Sequence, residues 1–216
     1  MKKVLFLSVI AILLSYGIFA ALEADVVLAT SSVSTTTVSL TVSDELSLAC
    51  PVATANLGTI AGLTGGSATA DVDCNVKTNN YNGYTLTLTP TTSPALMTAD
   101  GHSSFANYIA TSTPDYSWTV AAAEAKFGFS VTSTDVVAAF KNDGASACGA
   151  PGSVIGLDHC FVGFDGTNAT QIASKSIQTT VSGVTTTVRY KAEVGNAKGQ
   201  PSGSYSATIT ITAATL

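Results

Sequence analysis

Residues 71–89 read DVDCNVKTNNYNGYTLTLT and contain two alternating segments separated by a turn rich in Asn and Gly. Alternation of apolar and polar side chains is typical of a strand with one buried face, and Asn and Gly favour tight turns. The stretch therefore predicts a strand over residues 68–77, a turn over residues 79–83 and a returning strand over residues 84–89. The inward positions are Ala70, Val72, Cys74, Val76, Tyr84, Leu86 and Leu88.

The same alternation recurs along the chain. Residues 37–48 place Val38, Leu40 and Val42 on one face and predict another strand. Further strands are predicted at residues 57–60, 116–120, 126–132, 160–164, 172–177, 183–194 and 205–213. No segment supports a long helix. Together these strands predict an all-β fold, a single β-sandwich with Greek-key links over residues 37–216 and an elaborated insertion over about residues 90–166.

The N-terminus has the features of a secretory leader. Two lysines precede an apolar run over residues 4–21, and small residues (Ala20, Ala21 and Ala24) stand near its end. The run is also about long enough for an uncleaved membrane anchor. No cluster of basic residues follows it, so we predict a signal peptide over residues 1–24 that is cleaved. This segment would then be the only contact with a membrane.

Residues 25–36 are predicted to form an extended N-terminal arm. The arm carries Val26, Val27, Leu28 and Val33, and no turn follows that would fold it back. An apolar strand left unpaired invites pairing with another chain. These four residues are therefore the predicted assembly residues.

Composition limits the possible partners. Charged residues make up 11% of the chain and the formal net charge is −5. Binding to phosphate groups needs clustered Lys or Arg, and the sequence contains no such cluster. Nucleic acid is therefore not expected as a partner.

All four cysteines, Cys50, Cys74, Cys148 and Cys160, follow the predicted leader. Disulfides are the default in a chain bound for an oxidising compartment. Three connectivities are possible for four cysteines, and the pairing of nearest neighbours is favoured, Cys50 with Cys74 and Cys148 with Cys160.

Few residues suit catalysis or metal binding. His159 and Cys160 are adjacent, so on a strand their side chains point to opposite faces and do not suit a base and its nucleophile. Eleven residues separate Cys148 from Cys160, which is wider than the spacing of zinc-binding cysteines. Asp143, Asp158 and Asp165 flank glycines without the spacing of a calcium loop. We therefore predict no catalytic residue, no metal and no cofactor.

Aromatic side chains offer a further kind of site. Trp118 alternates with Tyr116 and Val120, a pattern that favours a place in the core. Tyr81 and Tyr108 fall in predicted loops. These two tyrosines are the candidates for contact with a ligand such as a glycan.

The beginning and end of the domain resemble the fimbrial pilin and spore-coat-U-like families of secreted β-sandwiches. The residues that carry the resemblance are Cys50, Val52, Leu57, Gly58, Cys74, Tyr84, residues 188–192 and residues 203–211. The resemblance implies an immunoglobulin-like, pilin-like Greek-key sandwich that lacks a strand. In these families a neighbouring subunit donates the missing strand, a form of β-augmentation. Residues 90–166, with the second cysteine pair, depart from the pattern.

These observations predict a non-enzymatic secreted structural subunit of a bacterial cell-surface filament, pilus or coat, assembled by addition of strands between subunits. The expected partners are further copies of the chain or other surface subunits. The alternative is a secreted binding module or adhesin of the same fold, which would bind a glycan or a host protein through residues 90–166.

Overall fold

A computed structural model describes residues 31–109, 114–149 and 152–216. The compact unit begins at Val42 and extends to Leu216, whereas residues 31–41 belong to a separate unit. Residues 31–41 have no regular secondary structure, and each of them is exposed. The predicted signal peptide, residues 1–24, and the arm residues Val26, Val27 and Leu28 lie outside the described residues.

The protein is all-β, and the part of the chain that the structure describes contains no α-helix. A single turn of 3₁₀-helix covers Ala138–Phe140. The ten strands are β1 Leu46–Ala49, β2 Gly66–Thr78, β3 Tyr84–Pro90, β4 Leu96–Thr98, β5 Ser104–Asn107, β6 Ala125–Thr132, β7 Thr170–Lys175, β8 Val184–Val194, β9 Tyr205–Ser206 and β10 Ile209–Thr215.

The strands form two sheets. The larger sheet has seven strands in the order β1-β2-β8-β6-β5-β4-β9, and the smaller has three in the order β10-β3-β7. All neighbours are antiparallel except β5 and β6, which are parallel. Side chains of both sheets share one hydrophobic core, an arrangement consistent with a β-sandwich. Its fully buried members include Cys74, Val76, Leu86, Leu88, Phe129, Val131, Ile172 and Val188.

The two strands on either side of the turn at residues 79–83 belong to different sheets. Strands β2 and β3 lie where the alternation predicts them, but β2 pairs with β1 and β8, and β3 pairs with β10 and β7. The turn between them therefore carries the chain from one sheet to the other. Gly83 in this turn has φ +86°, and a Cβ there would lie 1.9 Å from the carbonyl oxygen of Lys175, so the turn requires glycine.

Five predicted strands differ in the structure. Residues 205–213 divide between β9 in the large sheet and β10 in the small sheet. Only Leu46–Ala49 of residues 37–48 forms a strand, and residues 57–60 and 116–120 form none. Residues 160–164 contribute only isolated bridges, at Phe161 and Val162. Alternation records which side chains are apolar, but a strand also needs a neighbouring edge to pair with, and that edge comes from elsewhere in the chain.

The middle region covers β6 from outside the sheet. Gly128 and Ser130 face away from the core, yet both are buried because Tyr108, Trp118 and residues 157–162 pack against them. A Cβ on Gly128 would lie 2.6 Å from the Val162 carbonyl oxygen. The Cys148–Cys160 disulfide ties this covering segment to the loop after the 3₁₀ turn.

Candidate assembly site

The outer edge of β10 is unpaired. Strand β10 is hydrogen-bonded to β3 along one side, and no backbone hydrogen bond from the described residues reaches its other side. At the opposite edge of the small sheet, β7 is covered, because Val137 donates to the Ile172 carbonyl and Ser174 donates to the Asp135 carbonyl. An open edge seven residues long is a site for pairing with another strand.

The inward side chains of β10 are incompletely buried. Ile211 lies opposite Leu88 and Ala213 lies opposite Leu86 in the register of the sheet. Both leucines are fully buried, whereas Ile211 and Ala213 are only half-buried. The inward face of β10 packs against the core but is less completely covered than that of β3.

Strand β1 and the chain that follows it form the facing wall. β1 neighbours β10 across the two sheets, and residues 50–60 continue from it without pairing to any described strand. Their inward side chains are also half-buried. We call the boundary between β10 and residues 46–60 the seam. The half-buried apolar residues along it are Leu46, Leu48, Cys50, Ala55, Leu57, Ile60, Ile209, Ile211 and Ala213.

A cavity of about 860 Å³ lies between residues 57–63, residues 199–205 and the large sheet. Leu57 and Ile60 line it, together with Phe105, Val194 and Tyr205 of the large sheet. Among the described residues, no charged one lines the cavity. An apolar chain without charges would therefore suit both the seam and the cavity.

Residues 36–42, which we call the apolar segment, have this chemistry. Their sequence is TTVSLTV, with no charge and with Val38, Leu40 and Val42 at every second position. The three side chains are 89%, 88% and 74% exposed. Val33, predicted as an assembly residue, is likewise exposed. A sequence able to form a strand is thus present without a partner strand in the described chain.

The four cysteines form the two disulfides that the sequence favours, Cys50–Cys74 and Cys148–Cys160. The first joins the wall of the seam to β2, because Cys50 follows β1 directly and Cys74 lies in the middle of β2. These disulfides are compatible with an extracellular location.

The two predicted ligand-contact tyrosines differ in their surroundings. Tyr81 is exposed in the turn between β2 and β3. Tyr108 is only 7% exposed, its ring is stacked on Trp118 at 4.1 Å, and its hydroxyl donates to Asp115. Burial raises the pKa of Tyr108. Tyr108 is therefore much less accessible than Tyr81, and contact of either tyrosine with a ligand stays a prediction.

Trp118 is half-buried, and other side chains of the protein contact its ring. Its indole nitrogen donates to the Glu193 carboxylate at 2.8 Å, and the Lys191 ammonium lies 5.1 Å from the centre of its ring. Partial burial lowers the pKa of Lys191. With Tyr108 stacked on it as well, Trp118 packs against the outer face of the large sheet.

The residues considered for metal or catalytic chemistry are dispersed. Cys160 is in a disulfide, and the His159 ring stacks on Tyr116 at 4.2 Å. Asp143 accepts backbone hydrogen bonds from residues 145, 146 and 147, which lower its pKa to about 2. Within residues 31–109, 114–149 and 152–216, no group of three or more His, Cys, Asp or Glu residues is placed to hold a metal ion. The same residues include no helix with the length and apolar character needed to cross a membrane.

Comparisons with models of protein families, with curated proteins and with solved structures found no match. The function is therefore inferred from the geometry of the chain itself.

Proposed function

We propose that this chain is a non-enzymatic structural subunit of a bacterial surface filament, pilus or coat, in which the apolar segment of one copy adds to the β10 edge of the next. The observation that carries the proposal is the complementarity between the β10 edge, unpaired within the described residues and bordered by an uncharged, half-buried seam, and an exposed, uncharged, alternating segment of the same chain. Secretion and a place at the cell surface are part of the proposal, and the two disulfides support them.

The apolar segment matches β10 in length. Residues 36–42 and Ile209–Thr215 each contain seven residues, which is roughly 23 Å of extended chain at about 3.3 Å per residue. An added strand would pair its backbone with the free edge of β10 and turn every second side chain into the seam. Val38, Leu40 and Val42 have the spacing that this requires. In the preceding arm, Val26 and Leu28 share their parity, whereas Val27 and Val33 have the opposite parity.

Burial of these side chains supplies the driving force. A fully buried Val or Leu side chain contributes about 1.5–3 kcal/mol relative to an exposed one. Three such side chains, together with a new ladder of backbone hydrogen bonds, can offset the entropy lost on association. The added strand would also cover more of the half-buried inward side chains of β1 and β10.

The contact would propagate rather than close. The donating segment and the accepting seam are different surfaces of the chain, so the contact is heterologous. Each added copy offers a new segment or a new seam, which produces a filament. The completed domain would be an immunoglobulin-like Greek-key sandwich, and its elaborated middle region would lie on the large sheet, away from the seam. The pilin-like and spore-coat-U-like resemblance agrees with this proposal.

A charge in the apolar segment tests the proposal. We expect Leu40→Asp to weaken association by about 100-fold or more, because burial of an unpaired carboxylate costs several kcal/mol. Ser39→Asp is the matched control, since it adds the same charge one residue away, on the face that would stay in water. Light scattering during size-exclusion chromatography measures the mass distribution of each variant.

The two variants have the same composition of charge and both substitute an exposed residue. Their monomers should therefore unfold at similar denaturant concentrations. If Leu40→Asp forms the same oligomers as the wild-type chain, assembly through the apolar segment is wrong.

A further inference from the structure

Asn79 bonds to the chain just before β1 as a neighbouring strand would. The Glu45 amide donates to Oδ1 of Asn79 at 2.6 Å, and Nδ2 of Asn79 donates to the Ser43 carbonyl at 2.9 Å. In a parallel pair of strands, one residue bonds in this way to the residues on either side of its partner. The Asn79 side chain thus holds the chain before β1 beyond the end of β2 at Thr78, in a pattern distinct from the antiparallel ladder of β1 and β2.

Other residues of the β2–β3 turn hold the same short stretch. Thr78 donates through its hydroxyl to the Glu45 carbonyl at 2.8 Å, and the Asn79 amide donates to that carbonyl at 3.3 Å. Asn80, which is buried, donates through Nδ2 to the Asp44 carboxylate at 3.1 Å. Each of the three residues from 43 to 45 is therefore bonded to the turn, in line with β1.

This stretch is the connection between the apolar segment and β1. If residues 36–42 were to enter the seam of their own chain, they would have to reverse direction within Ser43, Asp44 and Glu45. Three-residue hairpin loops favour a glycine in the left-handed conformation, and the stretch contains none. Such a reversal would also break the hydrogen bonds to Asn79.

Without an opposing feature, addition of the apolar segment to its own chain would be favoured, because the segment and the seam are covalently linked. A strand tethered next to its own seam has an effective concentration of the order of millimolar. Self-addition would then outcompete addition between copies at ordinary protein concentrations, and the chain would remain a monomer. Assembly requires a feature that opposes reversal.

We propose that Asn79 is a positioning residue that directs the apolar segment to a second copy of the chain by holding residues 43–45 in line with β1. This inference rests on the proposed function, since it specifies which copy receives the segment. The partner it implies is another molecule of the same chain.

The test uses the full chain with Asn79→Ala. We expect the fraction of monomer at a fixed protein concentration to rise at least about fivefold, as measured by light scattering. The matched control is Asn75→Ala, four residues earlier in β2, because the Asn75 side chain bonds to Thr185 and not to residues 43–45. This control should assemble like the wild-type chain.

Hydrogen exchange separates positioning from a general loss of stability. In Asn79→Ala monomers, the amides of residues 36–42 should be protected, because the segment has entered its own seam. In wild-type monomers prepared at low concentration, the same amides should exchange within seconds. Monomers of Asn79→Ala with an unprotected segment, or assembly equal to the wild type, would overturn the inference.

A milder variant covers the case in which Asn79→Ala fails to fold. Asn79→Asp keeps the acceptor for the Glu45 amide and loses the donor to the Ser43 carbonyl, so it should give an intermediate monomer fraction, and wild-type assembly by this variant would equally overturn the inference. Leu40→Asp distinguishes failure of the proposed function from failure of the role proposed for Asn79. If Leu40→Asp assembles like the wild type, the proposed function itself fails. If it does not but Asn79→Ala does, only the role of Asn79 fails.

Discussion

At the scale of single residues, Tyr84 and Asp135 join parts of the structure that are distant in sequence. Tyr84 is fully buried, and its hydroxyl donates to Oδ2 of Asp135 at 3.0 Å. The Lys175 ammonium lies 2.9 Å from the other carboxylate oxygen. Burial, together with the neighbouring negative charge, raises the pKa of Tyr84 far above its usual value, so its hydroxyl stays protonated and remains a donor. One carboxylate thereby links β3, β7 and the turn after β6.

Removal of one hydroxyl tests this link. We expect Tyr84→Phe to lower the free energy of unfolding by about 1.5–3 kcal/mol, the usual contribution of a hydrogen bond to a charged group. Tyr190→Phe is the matched control, because Tyr190 is also buried in the core and its hydroxyl makes no hydrogen bond within the described residues. Urea unfolding of both variants measures the difference. Equal losses would show that the bond to Asp135 adds no stability.

At the scale of elements, the two sheets differ in how completely their strands are covered. Strand β3 is the centre of the small sheet and its inward leucines are fully buried, whereas β10 is an edge whose inward residues are half-buried. The hydrophobic contribution of a side chain scales with the area it buries. Residues of similar chemistry on β3 and β10 should therefore stabilise different states of the protein.

Cross-strand partners on these two strands make the comparison direct. Leu88→Ala should lower the stability of the monomer by about 2–5 kcal/mol, as expected for a buried leucine. Ile211→Ala, directly opposite, should cost the monomer less and should weaken the oligomer more, because the proposed added strand covers Ile211. Urea unfolding of the monomer and the temperature at which oligomers dissociate measure the two effects. A larger loss of monomer stability for Ile211→Ala would contradict the open seam.

At the scale of the whole molecule, two disulfides tie down segments with different roles. Cys50–Cys74 joins residues separated by 24 positions and holds the wall of the seam against β2. Cys148–Cys160 joins residues separated by 12 positions and holds the segment that covers β6. In the chain-entropy model, closure of loops of these sizes contributes about 3 kcal/mol each. The two disulfides should therefore be similar in stability but different in their effect on assembly.

Paired substitutions to alanine separate these effects. Cys50→Ala with Cys74→Ala, and Cys148→Ala with Cys160→Ala, should each lower the free energy of unfolding by about 3 kcal/mol. We expect only the first pair to reduce the amount of oligomer among folded molecules, because only Cys50 lies along the seam. Non-reducing mass spectrometry confirms the oxidation state, and light scattering measures the oligomer. Equal loss of oligomer in both double variants would remove the link between Cys50 and assembly.

Much of the β-structure could be predicted from the sequence. Residues 68–77, 84–89, 126–132 and 183–194 alternate strongly and correspond to β2, β3, β6 and β8. The disulfide pairing also followed from spacing and compartment. These features can be read directly from the sequence, because they depend on the alternation of neighbouring residues and on the spacing of cysteines along the chain.

The sequence by itself determined which side chains share one face of a strand. Only the tertiary structure decided which strands pair and which of these faces are covered. Val38, Leu40 and Val42 alternate as clearly as Leu86 and Leu88, yet the first three are exposed and the last two are buried. Tyr108 falls in a predicted loop, yet the middle region covers it. Asn79 falls in a predicted turn, yet its side chain bonds to residues 43 and 45. The physical reason is that a strand is stabilised by an edge supplied from elsewhere. Alternation cannot specify whether that edge is present in the same chain.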